Sequence, residues 1–328
     1  MPRIIVPGAP EFGQESRRRA APVAVVDGFL PLELALAMRA GIDAHFANPY
    51  RHRPQTHQVW NYWFVPDLYT YLRTQPKRVI AEERVEAFNH ALRSWSIENL
   101  GLSVVTPPYL SLYVGGCRQG WHNDAGNGRF AYVYSLTRDE RRTTGGGTHV
   151  MCEGDGLRDN LVTPTAGSAF FETVAPAFNR LVIFDARAPH AVSLVEGSMD
   201  PVEGRFVLHG HVLEGATDGA GALPVDAVTQ PIDATLRAFA EREAARLPLY
   251  HGPLSLRMTI GPEGRVDLCD VIIDRVVHPD PGDTHWDSLR EQICERLETL
   301  TFPSAAGPTE VILPVMFGAS PGGTPQAA

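Results

Sequence analysis

The chain has 328 residues, 44% of them apolar, with 29 Lys+Arg against 38 Asp+Glu, a formal net charge of −9 and a pI near 5.7. That size suits one large domain with a small one, or two of medium size, and the acidic balance argues against a general affinity for nucleic acid. No run reaches the roughly eighteen apolar residues of a membrane-spanning helix, and Cys117, Cys152, Cys269 and Cys294 are too few and too scattered for a disulfide scaffold or a structural zinc site.

Residues 1–20 read as a flexible lead-in without an apolar signal core, so a cytoplasmic protein is expected. Pro22–Asp27 reads as a strand, and Leu32–Phe46 as a helix with apolar residues at helical spacing. Residues 47–78 are irregular and aromatic, and Trp60-Asn61-Tyr62-Trp63-Phe64 fits either a substrate groove or a core-facing strand. Ile80, Val85, Phe88, Leu92 and Trp95 mark a second helix within 79–100. Short apolar runs then follow with turns between them: Tyr109–Val114, Phe130–Leu136, Thr148–Cys152, Leu161–Pro164, Ser168–Thr173, Leu181–Phe184 and Arg205–Leu213. That many short strands with regular turns suggests a β-roll.

Inside this region, Trp121-His122-Asn123-Asp124 is followed by Ala188-Pro189-His190 and then Gly204-Arg205-Phe206. His122 and Asp124 are two apart, so on an extended strand they share one face. With His190 as a third ligand, two imidazoles and a carboxylate leave about half of an octahedral ion's positions open, as a non-haem Fe(II) centre requires. Arg205 supplies a planar fork suited to a carboxylate. Arg205, Val207, His209 and His211 alternate onto one strand face, which puts a histidine on the cavity wall. The run Gly145-Gly146-Gly147 lacks the lysine and the spacing of a phosphate loop.

These residues, together with Tyr113-x-x-Gly116, Thr144-Gly145-Gly146-Gly147-Thr148 and Asn179–Asp185, resemble the Fe(II)/2-oxoglutarate-dependent dioxygenases, in particular the prolyl 4-hydroxylase-like branch. The resemblance implies a mainly β protein, with a double-stranded β-helix (jelly-roll) oxygenase core and backing helices over residues 21–214. It implies Fe(II) on His122, Asp124 and His190, with 2-oxoglutarate on Arg205 and near Tyr113, Tyr132 and Tyr134. Dioxygen is the co-oxidant and ascorbate a stimulant. The substrate it implies is a prolyl or other amino-acid residue, free, in a peptide or carrier-bound, with Arg118, Arg129, Arg187 and Trp121 as candidate contacts. Asp124, absent from halogenating relatives, points to hydroxylation. Desaturation or epoxidation of a small biosynthetic substrate, and an inactive binding module, are the alternatives.

Residues 215–252 read as a glycine-rich linker (Gly215–Gly221) and a short helix over Ile232–Leu247. From residue 253 to 318 the pattern is strand, strand, helix, strand, a small α+β domain. With Gly264-x-Val266 and Thr301-Phe302-Pro303 it resembles C-terminal modules of TonB and of gliding-motility proteins. Docking to a protein or self-association is what that implies. Asp267, Asp270 and Asp274 read as the wet face of a strand, and residues 319–328 as a disordered tail.

Overall fold

In the computed structural model, residues 23–47, 59–151, 171–280 and 283–318 are described. The expectations for the N-terminal lead-in, for Asn48–Arg51, for Cys152 and the strand at Leu161–Pro164, and for the C-terminal tail lie outside these residues. The chain divides into two compact units, Met1–Ala91 with Val105–Val212, and Leu92–Val104 with Leu213–Ala328. No helix among the described residues is long and apolar enough to cross a membrane.

Alternation shapes the first unit. Its elements in order are β1 (Ala24–Asp27), α1 (Leu32–Phe46), β2 (Asn61–Val65), β3 (Tyr69–Thr74) and the start of α2 (Glu82–Leu100). After β4 (Val104–Val105) come β5 (Tyr109–Tyr113), β6 (Arg118–His122), β7 (Phe130–Ser135), β8 (Thr143–Gly145), β9 (Thr148–Met151) and β10 (Phe171–Val174). Then follow β11 (Arg180–Asp185), β12 (His190–Val192), β13 (Val195–Gly197) and β14 (Arg205–Leu213). The main sheet is antiparallel in the order β1-β11-β7-β14-β5-β3-β6-β12-β9-β10, with β2 beside β3, and β13 pairs with β8. It is the curled, mostly β arrangement that the run of short strands suggested.

Register sorts the side chains onto two faces. Arg205 pairs with Tyr113, Val207 with Ser111 and His209 with Tyr109; across β7, Val207 pairs with Ser135 and His211 with Ala131. The intervening positions, Leu110, Leu112, Tyr132, Tyr134, Leu181, Ile183, Phe206 and Leu208, are at most 3% exposed. They form the face that the helices cover: Phe88 of α2 lies 6.2 Å from Tyr132 and 5.1 Å from Tyr134 between ring centroids. Burying a side chain of this size is worth about 1.5–3 kcal/mol, so this face holds the roll together. The other face is the inside of the roll.

In the second unit β15 (Asp218–Gly221), β16 (Gly252–Ile260), β17 (Val266–Asp274) and β18 (Thr309–Phe317) form a sheet in the order β15-β18-β16-β17. Part of the glycine-rich stretch expected as a linker is therefore an edge strand, paired to β18 from Asp218↔Ile312 to Gly221↔Thr309. The helix α3 (Val225–Arg242) begins before Pro231, not after it. Its buried stripe of Val228, Ile232 and Phe239 continues through the proline, and that burial offsets the lost backbone bond. Helix α4 (His285–Glu298) buries Trp286, Leu289, Ile293 and Leu297 in the core with Leu254, Leu256 and Met258 of β16. Asp274 accepts bonds from Trp286 Nε1 (2.7 Å) and Arg290 Nη1 (2.9 Å), tying β17 to α4.

Candidate metal centre

His122 ends β6, and Asp124 lies two residues beyond it, where its backbone N–H donates to Ala186 O at 2.8 Å. The pair is thus fixed by the turn after β11 and not by one continuous strand. His190 opens β12, and its Cα partner across the sheet is His122. One ligand atom from each of His122, Asp124 and His190 falls within a 4.8 Å cluster, the candidate metal group among the described residues. His190 Nε2 is 3.4 Å from Asp124 Oδ2, and the two imidazole centroids are 4.2 Å apart.

Backbone carbonyls orient both rings. His122 Nδ1–H donates to Gly120 O at 2.8 Å and His190 Nδ1–H to Ala188 O at 3.1 Å, which leaves each Nε2 lone pair for the ion. Burial, then the neighbouring His190, pushes the His122 pKa down and keeps the ring in the neutral form a metal binds. Burial opposes ionisation of Asp124, but the neighbouring His190 and the bond from His211 more than offset it and hold the carboxyl well below the usual range. The donor set fits Fe(II): two imidazoles, one carboxylate and open positions.

Three further residues join the cluster. His211 Nε2–H donates to Asp124 Oδ2 at 3.1 Å, and Asn127 Nδ2 to Asp124 Oδ1 at 3.1 Å. Gln119 Nε2 lies 3.1 Å from His122 Nε2, the nitrogen an ion would take, while Gln119 Oε1 accepts from Tyr113 OH at 3.1 Å. Gln119 and His122 would face opposite ways on a regular strand. A register shift between His190 and Val192, which pairs Val192 with Gln119, brings them together. The alternation along β14 signalled a histidine on this wall, and the structure puts His211 against Asp124. Gln119 had no such signal, because it depends on the bulge.

Arg205 is 2% exposed. Its Nη2 donates to Thr148 Oγ1 at 3.1 Å and its Cζ lies 4.7 Å from the Tyr113 ring centroid, yet Nε and Nη1 have no hydrogen-bond partner. It borders a small cavity lined also by Val133, Thr148, Val182 and Val207. Burial lowers the Arg205 pKa and raises that of Tyr113; a guanidinium remains charged there. Gly146 permits this packing: at φ +71° a Cβ would stand 2.9 Å from Arg205 Cδ.

Two of the expected co-substrate residues need correcting. Tyr132 pairs with Gly210, and Tyr134 with Leu208, so both lie on the helix-covered face. Tyr132 OH donates to Thr106 O at 3.0 Å and Tyr134 OH to Asn179 Oδ1 at 2.8 Å. Strand parity turns them away from Arg205. Tyr113 does share the Arg205 face. Of the candidate substrate contacts, Arg187 is bound to Asp185 through Nε (2.9 Å) and Nη2 (2.6 Å), and Arg118 is exposed, donating to Asp67 O at 3.4 Å. Trp121 is 42% exposed, against His149 and Phe171. Arg129 contributes its backbone N–H to Val212 O at 2.8 Å.

No family model matches the chain, and no curated protein matches it in sequence. Among solved structures it is similar to a prolyl-4-hydroxylase of Pseudomonas putida, at 17% identity over 58% of this chain and 91% of that one, with a TM-score of 0.40. It is similar also to a prolyl hydroxylase from Trichoplax adhaerens in complex with a hypoxia inducible factor oxygen degradation domain peptide fragment (15%, 58% and 82%, TM-score 0.41). A third is the non-haem α-ketoglutarate-dependent carbocyclase SnoK from nogalamycin biosynthesis (13%, 57% and 77%, TM-score 0.40).

Proposed function

We propose that the chain is an Fe(II)- and 2-oxoglutarate-dependent dioxygenase that hydroxylates an unactivated C–H of a prolyl or other amino-acid substrate. The observation that carries this reading is Arg205: a buried guanidinium with two unpartnered nitrogens, inside the same roll as a His-Asp-His cluster. Folding alone gives no reason to bury those N–H groups, since each costs about 1–3 kcal/mol unpaired. A co-substrate carboxylate repays that cost with charge-assisted bonds.

His122, Asp124 and His190 would hold the iron, and His211 and Asn127 hold the carboxylate of Asp124 in orientation. Arg205, Thr148 and Tyr113 would take the far carboxylate of 2-oxoglutarate. Bound Fe(II) supplies the oxidation in which C–H, 2-oxoglutarate and dioxygen become C–OH, succinate and carbon dioxide. The protein supplies position and excludes water. The intact Asp124 favours hydroxylation over halogenation.

The test is anaerobic titration of metal-free protein with Fe(II) and 2-oxoglutarate, following the weak visible charge-transfer band of the chelate. A band that requires both additions and disappears in His190→Ala supports the reading. Failure to form it in folded wild-type protein rejects the reading in favour of a binding module or a different metal chemistry. Turnover that survives Arg205→Ala unchanged would point instead to an oxygenase without 2-oxoglutarate.

A further inference from the structure

Arg73 is the cation of β3, and its setting differs from that of the arginines singled out in the sequence. Its Cα partners are Asn61 of β2 and Ser111 of β5, so it shares the inward face with Tyr71, Trp63, Tyr109 and Ser111. An aromatic ring covers it from each neighbouring strand: its Cζ lies 3.5 Å from the Trp63 centroid and 4.1 Å from that of Tyr109. Rings on the faces of a guanidinium leave its N–H edge for in-plane partners, which the Tyr71 hydroxyl shares with any anion bound there. No carboxylate of the described residues lies within ion-pair distance of Arg73, whereas Arg187, Arg180 and Arg138 each engage an aspartate.

Tyr71, two residues along β3 on the same face, joins Arg73 to the rest of the inner wall. The charges of Arg73 and Asp124 both act on Tyr71 and on His209. Tyr71 stacks on Tyr113 at 5.0 Å, and Arg205 lies over Tyr113. His209, bonded to Ser111 Oγ at 2.8 Å, is pushed down to about 3 by burial and by Arg73 itself, and so adds no second positive charge beside it. Among the described residues Arg73 and Arg205 are thus two cations on the inward face, of which Arg205 is assigned to the co-substrate.

We infer that Arg73, held between Trp63 and Tyr109, is a specificity-determining residue that receives a free carboxylate of the substrate. The substrates are then small carboxylic acids, free amino acids among them, and not residues inside a polypeptide. This assignment rests on the oxygenase reading of the metal site and narrows its substrate class.

Saturation-transfer NMR on the Zn(II)- and 2-oxoglutarate-loaded protein tests it, with the proteinogenic amino acids and their N-acetyl forms as probes, each beside its carboxamide. The expected result is that at least one free acid binds about tenfold or more tightly than its amide. Arg73→Gln should abolish that difference, and Arg73→Lys should restore it in part. With the acid so identified, Arg73→Gln should raise its KM while the KM for 2-oxoglutarate stays put. Equal binding of acids and amides, no acid binding to the wild type, or unchanged preference in Arg73→Gln overturns the inference. Loss of the Fe(II)/2-oxoglutarate band in Arg73→Gln also overturns it, by assigning Arg73 to the co-substrate. Absence of that band in the wild type rejects the oxygenase reading instead, and acid-selective binding through Arg73 would then belong to a binding protein.

Discussion

Two buried arginines separate the two faces of the β-roll. Arg39 of α1 is 4% exposed and Arg205 of β14 is 2% exposed. Arg39 has every nitrogen engaged: Nε with Asp43 (2.9 Å), Nη1 with Leu136 O (3.0 Å) and Nη2 with Val202 O (2.6 Å), with its Cζ over Phe206. Arg205 has one such bond and two nitrogens with none. Arg39, on the helix-covered side, is satisfied from within the chain. Arg205, on the inner face, keeps two nitrogens for something outside the chain. The difference teaches that burial by itself says little about role, and that the count of unmet bonds says much more.

If that contrast is right, inner-face changes should damage function with little loss of stability, and outer-face changes the reverse. The largest effect is expected from Asp124→Ala, which should abolish both the chelate band and 2-oxoglutarate turnover in protein that still folds. Arg205→Ala should raise the KM for 2-oxoglutarate by about a hundredfold, the worth of a lost charge-assisted pair. Its thermal midpoint should be unchanged or higher, because an unpaired buried charge has gone. Arg39→Ala should cost about 3 kcal/mol in chemical denaturation, by stranding the Leu136 and Val202 carbonyls and leaving Asp43 with Arg138 alone, with the KM for 2-oxoglutarate unaltered. A large stability loss in Arg205→Ala would break the comparison.

Smaller effects sharpen it. His211→Ala should weaken Fe(II) binding by about tenfold in equilibrium titration, since His211 orients Asp124 without being a ligand. His209 supplies a pH test. Its pKa falls to about 3 in the folded state from an ordinary value near 6.5. Its neutral-state contribution is therefore complete above about pH 6.5 and is lost as the pH falls toward 3, where the unfolded chain takes up the proton first. The melting-temperature gap between wild type and His209→Gln should narrow across that window and stay constant above it.

Much of this could be read in the sequence. The order His122, Asp124 and His190, with apolar strands around it, pointed to the three side chains that cluster in the structure, and helical spacing gave Leu32–Phe46 to the residue. What escaped depends on parity and on neighbours distant in sequence. Tyr132 and Tyr134 could not be assigned a face without the register of β7 against β14. Gln119 reaches His122 only through a bulge, and Arg73 is defined by rings from β2 and β5. Tyr62 and Phe64 are 66% and 58% exposed while Trp63 between them stacks on Tyr71, so the aromatic segment was neither wholly groove nor wholly core.

His122 and His190 are far apart in the chain yet directly opposed across β6 and β12. Such a pair forms late, because the intervening loop must close before any contact rewards it. A slip of one residue in either strand would turn an imidazole out of the cluster. An ion bound there therefore proofreads the register: it adds its binding energy only to chains paired correctly, and it slows the unzipping of that pair thereafter. Withholding metal during synthesis would then lower the yield of correctly folded protein in addition to its activity.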